Sequence, residues 1–245
     1  MSVVAVARQT VIALQMNYRG LVRELGLLLV FVVVFPLGFL FFLGQIAAPG
    51  ARVQILVGSI MMEAALLNIN VVAQGIGSDK QTKLYDLYVS LPISPIAYVL
   101  ALALSMLPAT LLSAGLTLAA GELWFGLPAF STPLLPLGLL LVWASTLGIG
   151  FLIAVYGTTP RQISTNAQFV GLVMTFLAPV FYPITVLPRA LQYVAYAWPL
   201  TWGAILLAAI LHGNLGGTLQ AAGVLGLFAV AWGVLISLGL RWRST

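Results

Sequence analysis

Side chains able to carry out chemistry are few in this 245-residue chain and widely scattered. It contains ten Lys and Arg, five Asp and Glu, one His and no Cys. The absence of cysteine excludes disulfides, thiolate metal sites and cysteine nucleophiles. The lone His212 has no acidic residue or second histidine near it in the sequence. No Ser-His-Asp set, HExxH motif or paired-carboxylate site is present, so we expect no catalytic residue, no metal site and no enzyme activity of the chain's own.

One short segment, residues 78–91, concentrates charge between two long apolar runs. Ser78 followed by Gln81 matches a capping box and predicts that a helix begins at Ser78. Pro92 and Pro95 then predict its end. At helical spacing one face carries Asp79, Lys83 and Asp86, and the other carries Leu84, Leu87, Tyr88 and Leu91. Two interpretations fit this pattern: a helix lying on the inner leaflet, and a docking element for a cytoplasmic partner.

Two rows of polar residues interrupt the apolar runs. The first row contains Arg52, Ser59, Glu63, Asn70 and Gln74, and the second contains Gln168, Thr175 and Tyr182. Polar side chains at membrane depth are costly unless they face protein or a water-filled cavity. Both rows fit the lining of a translocation path, and both also fit hydrogen bonds that hold helices together. Glu63 is acidic near mid-span, and its position fits a proton relay and a structural role alike.

The composition identifies the kind of protein that must position these residues. Hydrophobic residues make up 62% of the chain and charged residues 6%, and the mean hydropathy is +1.11. A soluble domain needs a more polar surface, so we predict an all-α integral membrane protein forming one transmembrane domain over 1–245. Six predicted transmembrane helices lie at 25–47, 53–73, 97–120, 134–156, 166–187 and 218–240.

Two further segments are predicted to lie at the membrane surface or to enter it only partly. Residues 1–23 combine an apolar stripe with Arg8, Gln15 and Arg19, which is typical of an interfacial amphipathic helix; a loosely ordered basic tail is the alternative. Residues 188–212 are apolar but interrupted at Trp198-Pro199, because proline cannot continue a helix. The piece after the proline is too short to span, so we predict an extracellular re-entrant hairpin.

The distribution of basic residues predicts the orientation. With six spans, eight basic residues fall on one side, namely Arg8, Arg19, Arg23, Lys80, Lys83, Arg161, Arg241 and Arg243, whereas Arg52 and Arg189 fall on the other. Basic residues accumulate on cytoplasmic loops, so we predict a multi-pass protein of the plasma membrane with both termini in the cytoplasm. The net charge of +5 therefore reflects topology, and we expect membrane lipid and no nucleic acid as a partner.

Two motifs resemble a known family, the type-2 ABC transporter permeases, which export drugs, lipids and polysaccharides. The first is KLYDLYVSLPISPIAYVLA at 83–101, and the second is PVFYPITVLPRALQYVAYAWPLTWG at 179–203. The resemblance also covers the length and the order of predicted elements. It implies a membrane subunit that exports an amphipathic drug-, lipid- or glycan-like substrate by alternating access. A second permease copy or a paralogue would complete the dimer.

The resemblance also implies an ATPase partner. Neither of the two lysines, Lys80 and Lys83, ends a glycine-rich phosphate-binding loop, so ATP and Mg²⁺ would bind to a separate ABC-type ATPase subunit and no cofactor to this chain. The resemblance makes 78–91 the coupling helix and assigns ATPase contacts to Asp79, Lys80, Lys83, Leu84, Asp86, Leu87 and Tyr88. It assigns the translocation path to Ser59, Glu63, Asn70, Gln168, Thr175 and Tyr182. An ATP-independent secondary transporter or channel is the alternative, and a membrane enzyme is a further one that lacks a catalytic cluster.

Overall fold

A computed structural model describes residues 9–10, 14, 30–84, 94–127 and 132–239. Within these ranges the chain is all-helical, with no strand, as the composition predicts. Its α-helices are α1 (Phe35–Ile46), α2 (Arg52–Gln81), α3 (Pro95–Phe125), α4 (Leu135–Tyr156), α5 (Pro160–Leu177), α6 (Arg189–Tyr196), α7 (Pro199–Leu211) and α8 (Leu215–Gly239). A π-helical turn (Val30–Val34) precedes α1, and 3-10 turns lie at Pro49–Ala51 and Ile184–Val186.

Several of these helices have the length and apolarity needed to cross a bilayer. Four described segments meet both requirements: Pro49–Gln81, Ala97–Phe125, Leu135–Tyr156 and Leu215–Ile236. The α6–α7 pair would be a fifth if it counts as one span, although the two helices are bent by 87°. The break falls at Trp198-Pro199, where the sequence predicts it. The chain is therefore a multi-pass membrane protein.

The two remaining predicted spans differ from the described helices. Within the described residues the first is a shorter apolar helix, Val32–Ile46, and residues 25–29 lie outside the described part. The predicted span at 166–187 has the wrong bounds, because α5 runs from Pro160 to Leu177. The Thr159 hydroxyl caps α5 by accepting from the Gln162 amide at 3.2 Å. The helix ends where Ala178 takes an extended conformation before Pro179.

The second predicted span is also longer than expected, which corrects the capping-box interpretation of Ser78. Helix α2 continues without a break to Gln81, so Ser78 lies in its last turn, and the Ser78 carbonyl accepts from the Thr82 amide at 2.9 Å. Gly75 and Gly77 do not end the helix; Leu102 and Ile163 pack closely against their α-carbons. Small residues inside membrane helices permit such close approach.

Helix α2 lies at the centre of the bundle. It packs against α1, α3, α4, α5 and α7, and 83% of its apolar window is buried. The approach of α4 is close enough that a Cβ atom on Gly150 would lie 2.5 Å from the Ile69 carbonyl oxygen. By contrast, only 17% of the α8 window is buried, so most of α8 is free to face lipid or another chain.

Side-chain contacts define two ends of the bundle. At the Lys80 end, named for the end of α2, Lys80 reaches the end of α4 and Gly77 faces Ile163 near the start of α5. At the Arg52 end, named for the start of α2, the Arg52 guanidinium lies 5.1 Å from the ring centroid of Phe125, the last residue of α3. Helices α2 and α3, and likewise α2 and α5, are therefore antiparallel.

The bent α6–α7 pair begins and ends at the Arg52 end. The chain leaves α5 beside Gln54, whose side-chain amide donates to the Val180 carbonyl at 2.8 Å. Helix α7 ends beside the first turns of α4, where a Cβ atom on Gly138 would lie 2.7 Å from Ile210. Because the starts of α2 and α4 mark the same end of the bundle, the pair returns to the side from which it enters.

Candidate functional site

The first two residues assigned to ATPase contact, Asp79 and Lys80, are engaged inside the bundle. Asp79 is buried, and its carboxylate accepts from the Tyr98 hydroxyl at 2.6 Å. The Lys80 ammonium donates to the Ala154 carbonyl at 2.8 Å. The last carbonyls of a helix have no partner within it, and a cation there is favoured by the helix dipole. Asp79 and Lys80 thus attach the end of α2 to α3 and α4.

The next two residues assigned to ATPase contact point outward. Lys83 has a φ of 59°, a left-handed backbone conformation that interrupts the helix after Gln81. Lys83 and Leu84 are both exposed, and Leu84 is helical again. Asp86, Leu87 and Tyr88 lie outside the described residues. Of the four described residues assigned to ATPase contact, Asp79 and Lys80 therefore face into the bundle, and Lys83 and Leu84 face outward.

The N-terminal segment reaches this end of the bundle too. Gln9, Thr10 and Leu14 are helical, and the rest of the predicted interfacial helix at 1–23 lies outside the described residues. The Gln9 side-chain oxygen accepts from the Ser94 amide at 3.1 Å. The Ser94 hydroxyl also caps α3 by accepting from the Ala97 amide at 3.2 Å. Gln9 thus contacts the residue at which the charged segment joins α3.

The residues assigned to the translocation path do not share one surface. Ser59 and Thr175 are buried, and their hydroxyls donate to carbonyls one turn earlier in their own helices. Glu63, one turn after Ser59 in α2, is also buried. Tyr182 lies beyond α5, donates to the Phe176 carbonyl at 2.7 Å and lines a cavity of about 400 Å³ at the Arg52 end. Of the assigned residues on α2 and α5, Asn70 and Gln168 are at least partly exposed, whereas Ser59, Glu63 and Thr175 are buried.

Asn70 and Gln168 belong to a set of polar side chains along the line where α2 and α5 meet. Asn70 is half-buried, and Gln74, an exposed side chain, donates to its side-chain oxygen at 3.0 Å. On α5 the exposed Gln168 donates to the Ser164 hydroxyl at 3.5 Å. The two pairs are neighbours, because Gly171, three residues after Gln168, faces Asn70. We call these four residues, Asn70, Gln74, Ser164 and Gln168, the polar groove.

The groove includes a residue that sequence reasoning missed, Ser164. Its signal is the i,i+4 spacing to Gln168, which repeats the spacing of Asn70 and Gln74 on α2. Exposed Thr165 and Asn166 extend the polar surface of α5. Beyond Gln168 the exposed face of α5 turns apolar, with Phe169, Leu172 and Phe176. The helix therefore presents polar side chains nearer the Lys80 end and apolar ones nearer the Arg52 end.

Comparison with known proteins identifies the family. A family model described as ABC-2 type transporter matches residues 8–212. The chain belongs to the ABC-2 type transporter family. The match includes the charged segment, the polar groove and the bent α6–α7 pair, and it ends one residue after α7. A comparison with curated proteins finds no match.

Membership of the ABC-2 type transporter family gives the chain its place in a transporter. ABC-2 membrane domains are permease components and not ATPases, so this chain is the component that forms the membrane part. Within this ABC-2 permease, two features stand out as candidate functional sites: the Lys80 end, where the charged segment meets three helices, and the polar groove on the bundle surface.

Proposed function

We propose that this chain is the transmembrane subunit of an ATP-driven ABC exporter, which moves an amphipathic drug-, lipid- or glycan-like substrate out of the cytoplasm. The observation that carries the proposal is the polar groove. Polar side chains exposed on an apolar bundle are unfavourable against lipid and are suited to a protein-lined, hydrated path. A second permease copy or a paralogue, packed over α2 and α5, would close the groove into such a path.

The proposed topology has six spans, with both termini in the cytoplasm and the Lys80 end facing the cytoplasm. Helices α1 to α5 and α8 would cross the plasma membrane. The bent α6–α7 pair would be the extracellular re-entrant hairpin, a proposal supported by the return of the pair to the Arg52 end. Lys80, Lys83 and Arg161 would then face the cytoplasm, as the positive-inside rule favours.

In the proposed coupling site, the residues of 78–91 have two different roles. Lys83, Leu84, Asp86, Leu87 and Tyr88 would contact a separate ATPase subunit that binds ATP and Mg²⁺. Asp79 and Lys80 would instead carry the displacement to the spans, since their hydrogen bonds attach the end of α2 to α3 and α4. Three spans would thereby move together when the ATPase subunits close around ATP.

The experiment is purification of the tagged permease from its native membranes, followed by assay of ATP hydrolysis in the preparation. We expect an ATPase to remain bound, and we expect Leu84→Asp to remove most of the associated hydrolysis because a charge replaces an exposed apolar contact. Leu123→Asp is the matched control: Leu123 is also exposed, at the other end of the bundle, and its substitution should leave hydrolysis unchanged.

Transport is tested in inside-out vesicles of the complex, with a fluorescent phospholipid as the probe. Gln74→Leu with Gln168→Leu should abolish ATP-dependent movement of the probe while the ATPase stays bound. Gln220→Leu, which replaces an exposed glutamine of α8 away from the groove, should have no effect. Probe movement that persists without ATP, or an intact permease that binds no ATPase, would instead favour a secondary transporter or channel.

A further inference from the structure

Glu63 is an acidic side chain enclosed in the middle of the bundle. It lies near the centre of α2, a helix of 30 residues, and only 4% of its surface is exposed. Neither carboxyl oxygen has a hydrogen-bond partner among the described residues. This isolation is unusual, because buried carboxylates in proteins are ordinarily paired or hydrogen-bonded.

One side of the Glu63 site comes from α3, which runs antiparallel to α2. Two contacts fix how the helices align: Leu56 faces Gly121, and Gly75 faces Leu102. The part of α3 beside Glu63 therefore lies between Leu102 and Gly121. Ser113 lies there beside the carboxyl, but its hydroxyl donates to the Val32 carbonyl. Thr117, one turn further along the same face, is fully buried, and its hydroxyl has no partner among the described residues. Among the described residues the site therefore offers the carboxyl only neutral hydroxyl groups, which both donate and accept, and no cation.

Among the residues that the structure describes, no side chain near Glu63 supplies a positive charge. The described helices packed against α2 carry ionisable groups only towards their ends: Tyr98 and Glu122 on α3, Tyr156 on α4 and Arg161 on α5, with none on α1 or α7. On α2 itself Arg52 is about three helical turns away and Lys80 nearly five. An ionised carboxylate placed here without a partner would lose its hydration without compensation, which costs far more free energy than burying the neutral carboxyl.

We propose that Glu63, with Ser113 and Thr117, forms a proton-binding site in the core of the bundle, and that the Glu63 carboxyl holds one proton in this packing arrangement. The bound proton removes the negative charge and turns one carboxyl oxygen into a donor to the neighbouring hydroxyl oxygens. The site goes beyond the proposed export function and does not depend on it. Any rearrangement that parts α2 from α3 and admits water lets the proton leave, so raising the pH favours the parted arrangement.

A neutral carboxyl in apolar surroundings has a distinctive reactivity that tests the site. It adds to dicyclohexylcarbodiimide: the carboxyl proton moves to one nitrogen, and a carboxyl oxygen bonds to the central carbon. Transfer of the acyl group from oxygen to nitrogen then gives a stable N-acylurea, which retains the whole reagent without a leaving group. Membranes containing the full chain should therefore acquire one reagent mass at Glu63 at pH 7, located by peptide mass spectrometry. Glu63→Gln should lose this adduct, and Glu122→Gln should keep it because Glu122 is exposed.

Infrared spectroscopy tests whether the Glu63 carboxyl is protonated without altering that residue. The chain contains three glutamates, Glu24, Glu63 and Glu122, so Glu24→Gln with Glu122→Gln leaves Glu63 as the one glutamate. With ¹³C-glutamate, this double variant should show an isotope-shifted carbonyl band of a protonated carboxyl at pH 7, and the band should shift again in D₂O. The band supports the proposal even where the carbodiimide fails to reach the site. Carboxylate bands alone at pH 7 would overturn it.

Discussion

At the scale of the residue, the structure separates charged side chains that the sequence groups together. Asp79, Lys80 and Lys83 belong to a single charged segment, but the first two are bound to other helices and Lys83 is exposed. The distinction follows from the last turn of α2, which brings Asp79 to the start of α3 and Lys80 to the end of α4. Two lysines of the same segment therefore provide a matched pair for testing which of them is structural.

We expect Lys80→Met to lower the free energy of unfolding by about 1 kcal/mol, because it removes a charge-assisted hydrogen bond that is partly screened by solvent. Lys83→Met, at an exposed position, should stay within about 0.5 kcal/mol of the wild type. The measurement is thermal unfolding of the detergent-solubilised protein, read from the loss of the monodisperse peak in size-exclusion chromatography. Equal shifts for both variants would show that the bond to Ala154 contributes nothing to stability.

At the scale of the element, glycine decides how closely α4 approaches α2. The α-carbon of Gly150 lies against the backbone of α2, where a Cβ atom would come within 2.5 Å of the Ile69 carbonyl oxygen. A backbone atom cannot rotate away as a side chain can, so the two helices would have to separate. Gly115 on α3 has the opposite setting, because no atom of the described residues lies within 4 Å of its Cβ position.

Gly150→Ala should therefore destabilise the bundle by about 1–3 kcal/mol, the usual cost of overpacking. Gly115→Ala should be neutral, or slightly stabilising because alanine favours helix. Denaturant-induced unfolding in mixed micelles, followed by tryptophan fluorescence, compares the two variants directly. A Gly150→Ala protein as stable as Gly115→Ala would contradict the close packing of α2 and α4.

At the scale of the whole molecule, the α6–α7 pair determines how many times the chain crosses the membrane. The two helices are bent by 87°, and both ends of the pair lie at the Arg52 end of the bundle. If the pair is a re-entrant hairpin, α8 crosses the membrane towards the side of the Lys80 end. If the pair crosses the membrane, α8 must cross in the opposite direction. The chain contains no cysteine, so single cysteines report the sidedness of each position.

We expect a cysteine at Thr82 to react only with reagent supplied on the cytoplasmic side. Cysteines at Arg189 and His212, at the two ends of the bent pair, should both react only from outside, since the pair enters and leaves on that side. The measurement is labelling of intact cells and of inside-out vesicles with a membrane-impermeant maleimide. Labelling of Arg189 and His212 positions from opposite sides would show that the pair crosses the membrane.

The sequence by itself determines the class of this protein. Its apolar content predicts the all-helical membrane fold, and its two motifs indicate the ABC-2 family. Both predictions succeed because they depend on local properties, namely segment length, hydropathy and proline position. The break at Trp198-Pro199 is predicted correctly for the same reason. The bounds of α5 were also accessible, since Thr159-Pro160 and Pro179 carry its start and stop signals.

Only the tertiary structure decides what the polar residues contact. The Lys80–Ala154 bond joins residues 74 positions apart, and helical spacing does not reveal which neighbouring helix a face meets. The capping box at Ser78 fails for this reason as well: α2 continues to Gln81, and its last turn is bonded to α3 and α4, which local spacing does not reveal. Polar periodicity likewise places Glu63 and Asn70 in one row, yet packing buries Glu63 inside the bundle and leaves Asn70 half-buried, as part of the polar groove. Spacing fixes the angle of a side chain around its helix, and the neighbouring helices determine whether that angle faces protein, lipid or water.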